Sequence, residues 1–183
     1  MDNGASSYRR YLEGDEEAFH EIVKEYFDNL VFFINRYVKD YAAAEDIALD
    51  AFTYLVVHKY RYNFSVSLKT YLFMIGRSRA LDYIRHRGKL SMVELSEAEQ
   101  LPSSDPSPEE LVLEDQRKQA LNRALAQLGE ELRLVIHLVY FEGLTPDEAA
   151  KVLKKSRKQV YNLLYRGKKA LRTILGEEGE LLV

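Results

Sequence analysis

The chain has 183 residues, of which 46% are hydrophobic and 30% are charged, so it can form one medium domain or two small ones. It contains no cysteine, which excludes disulfides and cysteine-ligated metal sites. No apolar run approaches the roughly 18 residues that a membrane-spanning helix needs, and residues 1–10 lack the apolar stretch of a signal peptide. The composition therefore predicts a soluble, cytoplasmic protein without membrane insertion.

The net charge of −3 averages two parts of opposite sign. Residues 117–175 contain 13 Lys and Arg against 5 Asp and Glu, whereas residues 1–116 contain 13 against 21. A basic module within an acidic chain is typical of proteins that bind the phosphates of nucleic acids. A second, smaller basic stretch at residues 69–89 has six Lys and Arg and a single acid, Asp82.

Helical periodicity extends over residues 8–88, which we predict as a first domain. Residues 18–27 carry apolar side chains at three- and four-residue spacing, and Gly14 and Asp15 precede them as a start signal. Further helices are predicted over residues 29–38, 42–59 and 68–87, with a loop at 60–67. Residues 89–107 are polar and acidic and contain prolines, which predicts a flexible linker.

A second helical domain is predicted over residues 108–176, so the fold class is all-α with two small domains joined by an acidic linker. Ser107 is a good N-cap and Pro108 suits the first helical position, which predicts a helix from there to about residue 128. Gly129 ends this helix, and another helix is predicted over residues 130–141.

Two capping boxes near the C-terminus predict a helix-turn-helix. Thr145 and Glu148 begin a short helix, and Ser156 and Gln159 begin a longer helix that runs to about residue 175. The first residues of such a second helix reach base edges in the major groove, and its later cations reach phosphates. The predicted DNA-binding residues of this recognition helix are Arg157, Lys158, Gln159, Tyr161, Asn162, Arg166, Lys168 and Lys169. The alternative is a solvated charged helix in an ordinary bundle.

Four segments resemble a known family in their order along the chain. They read GDEEAFHEIVKEYF (14–27), AAAEDIALDAF (42–52), LKTYLFMIGRSRALDYIRHR (68–87) and ALAQLGEELRLVIHLVYFEGLTPDEAAKVLKKSRKQVYNLLYRGKKALRTIL (124–175). The first three are similar to region 2, and the fourth to region 4, of the extracytoplasmic-function (ECF) sigma factors of bacterial RNA polymerase.

This resemblance implies a division of labour between the domains. Region 2 would bind the clamp of core RNA polymerase and open the −10 element, and region 4 would read the −35 element on the polymerase flap. The implied partners are core RNA polymerase, promoter DNA and an anti-sigma factor that holds the protein inactive. The sequence has no Ser/His/Asp, Cys/His, phosphate-loop or metal constellation, so we expect no catalytic residue, no metal and no cofactor.

The resemblance also assigns two sets of residues in region 2. An acidic edge on the third predicted helix would face a basic polymerase helix, and its members are Glu45, Asp46 and Asp50. A carboxylate metal site and a plain solvated face are the alternatives for this edge. The −10 set combines the aromatic platforms and cations that single-stranded DNA requires, and its members are Tyr60, Arg61, Tyr62, Asn63, Phe64, Lys69, Arg77, Arg79, Arg85 and Arg87. Core packing is the alternative for each of these aromatic side chains.

Three other functions compete with a sigma factor: a helix-turn-helix regulator with a helical dimerisation domain, an enzyme acting on nucleic acid, and a protein that binds a sigma factor. The acidic, aromatic and basic series of the first domain favours the sigma factor. Several residues depart from the family pattern, among them Lys154, which stands in the turn where glycine is usual. The turn must therefore form without the residue that most readily adopts positive φ.

Overall fold

The computed structural model describes residues 4–91 and 114–176, with side chains described over 4–88 and 120–176. These residues form helices and connecting loops, and the described ranges contain no β-strand. The helices are α1 (Ala5–Leu12), α2 (Glu16–Val38), α3 (Tyr41–Val57), α4 (Leu68–Ser91), α5 (Glu114–Gln127), α6 (Glu130–Ile136), α7 (Pro146–Leu153) and α8 (Arg157–Leu175). None of the described helices is both long enough and apolar enough to cross a bilayer.

Helix α2 is the centre of the first domain and contacts α1, α3 and α4. The side chain of Asp15 caps its N-terminus by accepting a hydrogen bond from the Ala18 amide at 3.3 Å. The prediction of two helices over residues 18–27 and 29–38 was wrong, because α2 is continuous over 23 residues. Leu30 and Val31 extend the buried stripe, and Asp28–Asn29 contains neither a proline nor a glycine that would end a helix.

Helix α1 was not predicted, although it holds the first domain to its loop. Tyr8 is fully buried, and its hydroxyl donates to the carbonyl oxygen of Lys59 at 2.8 Å. Its ring meets that of Tyr62 edge to face, with the centroids 5.3 Å apart. These contacts fix the N-terminal helix against the start of the 60–67 loop.

The second domain packs α8 against α6 and α7. The predicted helix over residues 130–141 is confirmed, with a π-helical turn at His137–Phe141 continuing α6. Gly167 allows α8 to approach α6, because a Cβ there would lie 2.7 Å from Ile136 Cδ1. The predicted start at Ser107–Pro108 lies outside the described residues.

The boundaries proposed for the domains and the linker stay predictions. Most of the predicted linker lies outside the described residues, while residues 89–91 belong to α4. The two domains lie against each other, with α4 packed on α7. This contact brings the predicted −10 face of the first domain to the helix-turn-helix of the second.

Candidate nucleic-acid and polymerase interfaces

Both predicted capping boxes of the helix-turn-helix are confirmed. The Thr145 hydroxyl accepts from the Glu148 amide at 3.2 Å, and Glu148 Oε2 accepts from the Thr145 amide at 3.0 Å. At α8 the Ser156 hydroxyl accepts from the Gln159 amide at 3.2 Å, and Gln159 Oε1 accepts from the Ser156 amide at 2.7 Å. At the start of each helix, two backbone N–H groups that have no acceptor within the helix are thus hydrogen-bonded.

Lys154 forms the turn between α7 and α8 in the left-handed conformation, with φ 51° and ψ 44°. A residue with a Cβ is strained in this region by roughly 1–2 kcal/mol. The amide of Lys155 donates to the carbonyl oxygen of Ala150 at 3.0 Å, which closes the turn. The turn therefore keeps its geometry without glycine.

Arg157 lies at the first position of the recognition helix and is held from two sides. Its Nε is 2.9 Å from Asp147 Oδ1, and its guanidinium lies 5.6 Å from the centroid of the Tyr161 ring. Both contacts are solvent-exposed. They orient the guanidinium without burying it, so it can still contact a base.

The other predicted residues of the recognition helix lie on its outer face or rim. Lys158, Tyr161, Asn162, Arg166 and Lys169 are exposed, whereas the opposite face of α8 is buried. Lys168 is half-buried, with its ammonium 4.9 Å from the centroid of the Tyr140 ring. Gln159 uses its side-chain oxygen in the capping box, so its amide nitrogen is the group left for a base.

The aromatic residues of the 60–67 loop separate into an exposed and a buried group. Tyr60 is 76% exposed and has the Lys59 ammonium 5.3 Å from its ring centroid. Tyr62 is only 3% exposed, and its hydroxyl donates to the carbonyl oxygen of Val66 at 2.6 Å. The expectation that Tyr62 forms a base platform is therefore not met in this arrangement, because its ring fills the core.

Phe64, Arg61 and Asn63 are held by local contacts in the same loop. Phe64 has φ 58° and is half-buried, with the guanidinium of Arg9 4.9 Å from its ring centroid. Arg61 Nη1 donates to the Tyr54 hydroxyl at 2.7 Å, and Asn63 Oδ1 accepts from the Ser65 amide at 3.1 Å. The loop is thus a defined surface with Tyr60 projecting from it.

The predicted cations of α4 contact groups of the protein itself. Arg79 Nη1 lies 3.4 Å from Asp50 Oδ2, Arg87 Nη1 lies 3.8 Å from Asp40 Oδ2, and Arg85 pairs with Asp82. Arg77 is half-buried and lines a cleft of about 490 Å³ between the domains, next to Tyr37. Arg79, Arg85 and Arg87 therefore already have carboxylate partners within the protein, and their contact with DNA stays a prediction.

The acidic edge lies on the outer face of α3. Asp46 and Asp50 are exposed one helical turn apart, and Glu45 is half-buried beside them. Leu49 lies on the same face and is 53% exposed, which the sequence analysis did not single out. Its position at i+3 from Asp46 was the available signal. Within the described ranges, no cluster of His, Cys, Asp and Glu is arranged to hold a metal.

A polar cluster between the domains was missed from the sequence. Lys69 Nζ lies 2.8 Å from Glu142 Oε2 and donates to the Glu142 carbonyl oxygen at 2.6 Å. The side chains of Lys69 and Glu142 are 18% and 4% exposed. His137 Nε2 is 3.2 Å from Glu142 Oε1 on the other side. Burial raises the pKa of Glu142, but hydrogen bonds from His137 and Lys69 outweigh it, so that its pKa lies below the ordinary value.

Glu148 joins the same cluster through its second carboxylate oxygen. Glu148 Oε1 accepts hydrogen bonds from the hydroxyls of Ser67 and Thr70, each at 3.0 Å. These partners are 81 and 78 residues away in sequence. No local pattern could have indicated the contact, because a capping box explains Glu148 completely when the chain is read alone.

A helix-turn-helix with an exposed basic recognition helix, attached to an all-helical domain with acidic and basic faces, defines a class of DNA-binding protein. Comparison with known proteins narrows this class. Residues 8–90 match the family model for sigma-70 region 2, and residues 118–171 match the model for sigma-70 region 4.

Several curated sigma factors are similar to the chain over most of its length. The RNA polymerase sigma-H factor of Pseudomonas aeruginosa is 27% identical, with 88% of each chain covered. The ECF sigma factor SigW of Bacillus subtilis is 26% identical, with 90% of this chain and 92% of SigW covered. The ECF sigma-E factor of Escherichia coli is 27% identical, with 88% of each chain covered.

Two solved structures share the fold at 20% identity. The sigma factor RpoE of Bartonella quintana, in complex with the anti-sigma factor NepR, gives a TM-score of 0.66 over 87% of this chain and 97% of that one. CnrH, in complex with the cytosolic domain of CnrY, gives 0.62 over 95% and 97%. The chain belongs to the sigma-70 family, in the ECF group of sigma factors.

Proposed function

We propose that this sigma factor binds core RNA polymerase through the outer face of α3 and selects promoters through two separate DNA surfaces. The observation that supports this most directly is the combination on one chain of an exposed acidic face, a basic α4 and a helix-turn-helix with an exposed basic helix. A dimeric repressor would need only the last of these. The chain would act in the cytoplasm, without catalytic chemistry or a cofactor of its own.

The second domain would read the −35 element with the start of α8. Arg157 is oriented by Asp147 and Tyr161, and a guanidinium at this position can form a bidentate contact with guanine. Lys158 and Asn162 are exposed on the same helix. Arg166, Lys168 and Lys169 lie further along α8 and would contact phosphates, which adds affinity without sequence information.

The first domain would hold the opened −10 strand between the 60–67 loop and α4. Tyr60 is the aromatic side chain whose ring is available for stacking on a base. Arg61, Asn63 and Phe64 would shape the loop around it, and Lys69, Arg77, Arg79, Arg85 and Arg87 would follow the backbone. We leave Tyr62 as a core residue whose ring packs against Phe64.

The polymerase-binding face would combine charge with an apolar contact. Asp46 and Asp50 supply the charge, Glu45 lies at the rim, and Leu49 offers an exposed apolar side chain between them. Interfaces of this kind use an apolar centre for affinity and charges for orientation and encounter rate. This explains why a large aliphatic side chain is exposed here.

Control by an anti-sigma factor follows from membership of the ECF group. Of the solved structures with the same fold, the sigma factor RpoE was co-crystallised with the anti-sigma factor NepR, and CnrH was solved in complex with the cytosolic domain of CnrY. An anti-sigma factor for this chain would have to cover the α3 face or the DNA surfaces to keep the polymerase from using it.

The test is whether the purified chain forms a stable complex with sigma-free core RNA polymerase on gel filtration. Asp46→Arg should weaken that complex by roughly 10-fold or more, because it places a cation against a basic polymerase surface. Asp28→Arg is the matched control, since Asp28 is an exposed acid on α2, away from this face.

Two results would contradict the proposal. Equal polymerase affinity of the wild type and Asp46→Arg would remove α3 from the interface. A chain that binds DNA as a dimer and ignores core polymerase would be an ordinary helix-turn-helix regulator.

A further inference from the structure

Helix α1 lies against the 60–67 loop, and Tyr8 fixes it there. The Tyr8 hydroxyl donates to the carbonyl oxygen of Lys59 at 2.8 Å, and the Tyr8 ring meets that of Phe64 with the centroids 6.3 Å apart. Arg9, the next residue, is exposed, and its guanidinium lies 4.9 Å from the centroid of the Phe64 ring. A cation that was not among the predicted −10 residues is therefore held at the rim of the loop proposed to hold the −10 strand.

Arg9 and Arg10 are neighbours on α1 but differ in what they contact. Arg10 Nη2 lies 2.7 Å from Asp15 Oδ2, and Arg10 Nη1 lies 3.0 Å from Glu21 Oε2. Arg9 has no carboxylate within ion-pair distance among the described residues, and its guanidinium contacts an aromatic ring instead. A ring orients a guanidinium but leaves its charge unbalanced, so the N–H groups of Arg9 are available to an anion.

The Phe64 ring is a fixed support for this cation. Phe64 has φ 58°, a left-handed conformation that a residue with a Cβ adopts at a cost in energy. The loop maintains this conformation, because Asn63 Oδ1 accepts from the Ser65 amide at 3.1 Å. The Tyr62 ring also packs against Phe64, with the centroids 4.6 Å apart. Backbone strain that the surroundings maintain is common at binding sites, and here it places the ring against Arg9 of α1.

We propose that Arg9 binds a phosphate of the opened −10 strand, next to the base that stacks on Tyr60, so that α1 is part of the DNA surface of the first domain. The inference rests on the proposed −10 role of the 60–67 loop and adds a contact to it. A planar guanidinium can donate two parallel hydrogen bonds to a phosphate. Surfaces that hold single-stranded DNA combine such cations with aromatic rings, and here Arg9, Phe64 and Tyr60 supply both.

Arg9 also differs from the arginines of α4. Arg79, Arg85 and Arg87 each lie next to a carboxylate of the first domain, which must be displaced before a phosphate can bind. Arg9 needs no such exchange. Its contribution to binding should therefore exceed that of any one of these paired arginines, although it belongs to a helix that the sequence did not predict.

Three variants test this contact. Arg9→Gln removes the charge and keeps a polar side chain, whereas Arg9→Lys keeps the charge but cannot form the two parallel hydrogen bonds. Arg10→Gln is the matched control, because it makes the same charge change one residue further along α1, where the arginine pairs with acids of the same domain. Both ion pairs of Arg10 are exposed, so their loss should cost little stability. Circular dichroism checks the helix content of every variant.

The measurement uses the complex with core RNA polymerase. The wild-type complex first selects a strand from a pool of random single-stranded DNA, and this strand is then made with one phosphate at a time replaced by an uncharged methylphosphonate. Arg9→Gln should bind the unmodified strand roughly 3- to 10-fold more weakly than the wild type. Arg9→Lys should lie between the two, and Arg10→Gln should equal the wild type.

One methylphosphonate position should identify the contact. It should weaken binding by the wild type and Arg10→Gln by a similar factor and have no effect on Arg9→Gln, because the partner of that phosphate is already missing. If Arg9→Gln responded to every position as the wild type does, Arg9 would only support the Phe64 ring, and the inference would be overturned. Wild-type affinity of Arg9→Gln would overturn it as well. A failure of the proposed function looks different, since the wild-type complex would then enrich no strand from the pool, and the inference would fall with it.

Discussion

The cations of the two domains differ in what they contact. In the first domain Arg79, Arg85 and Arg87 each pair with a carboxylate of the same domain, and Lys69 pairs with Glu142 of the other. On the recognition helix Arg157 pairs with Asp147. Lys158, Arg166 and Lys169 have no carboxylate within ion-pair distance in the described part of the chain.

This difference separates two ways of binding DNA. Because Lys158, Arg166 and Lys169 of the recognition helix have no such carboxylate partner, the proposed affinity of this helix for duplex DNA should respond directly to salt. The first domain must exchange carboxylates for phosphates before its paired cations can act. Under the proposed function, the first domain should therefore bind DNA more weakly than the recognition helix does.

The largest effect that would sharpen this comparison is expected at Arg157. Arg157→Ala should cost about 1–3 kcal/mol in binding of the preferred −35 duplex and little in binding of a scrambled duplex, because it removes a base contact. Lys169→Ala should weaken binding to both duplexes equally and reduce the slope of log K against log salt by about 0.9. Fluorescence anisotropy at several salt concentrations measures both quantities. If the two variants gave the same pattern, Arg157 would be a phosphate contact.

The next largest effect concerns only the stability of the second domain, and not its binding of DNA. Ser156→Ala removes the N-cap of α8 and should lower the free energy of unfolding by about 1 kcal/mol. Ser156→Thr keeps the hydroxyl and should remain near the wild type. Urea unfolding followed by circular dichroism measures the difference. A loss as large in Ser156→Thr as in Ser156→Ala would show that the hydroxyl is not what stabilises the helix.

The features that could be predicted from the sequence are those that depend on neighbouring residues. Thr145 with Glu148 and Ser156 with Gln159 predicted the starts of α7 and α8, because a capping box is complete within four residues. The loop at residues 60–67 and the exposed acids of α3 follow from equally local patterns. Lys154 was recognised as an unusual turn residue, and the structure shows it in the left-handed conformation.

Features that depend on distant residues could not be predicted. Tyr62 was assigned to DNA by the resemblance to the sigma-factor loop, yet its ring packs against Tyr8 of α1, a helix that was not predicted. Two helices were predicted over residues 18–27 and 29–38, but burial of Leu30 and Val31 by the rest of the domain keeps α2 continuous. The assignment of the DNA and polymerase residues stays a prediction.

The smallest effect tests whether the first domain's cations are limited by their carboxylate partners. Asp50→Asn removes the carboxylate 3.4 Å from Arg79, an exposed pair whose strength should not exceed about 1 kcal/mol. Freed from Asp50, Arg79 should bind single-stranded DNA more tightly, by at most about 5-fold.

Asp28→Asn is the control. It makes the same charge change on α2, where Asp28 has no ion pair within the described residues. Titration of the polymerase-free proteins with a single-stranded oligonucleotide separates the general effect of removing a negative charge, which both variants share, from the release of Arg79, which only Asp50→Asn provides. Equal gains would mean that Arg79 is as available with its partner as without it, and the contrast between the two domains would then lie in geometry and not in their ion pairs.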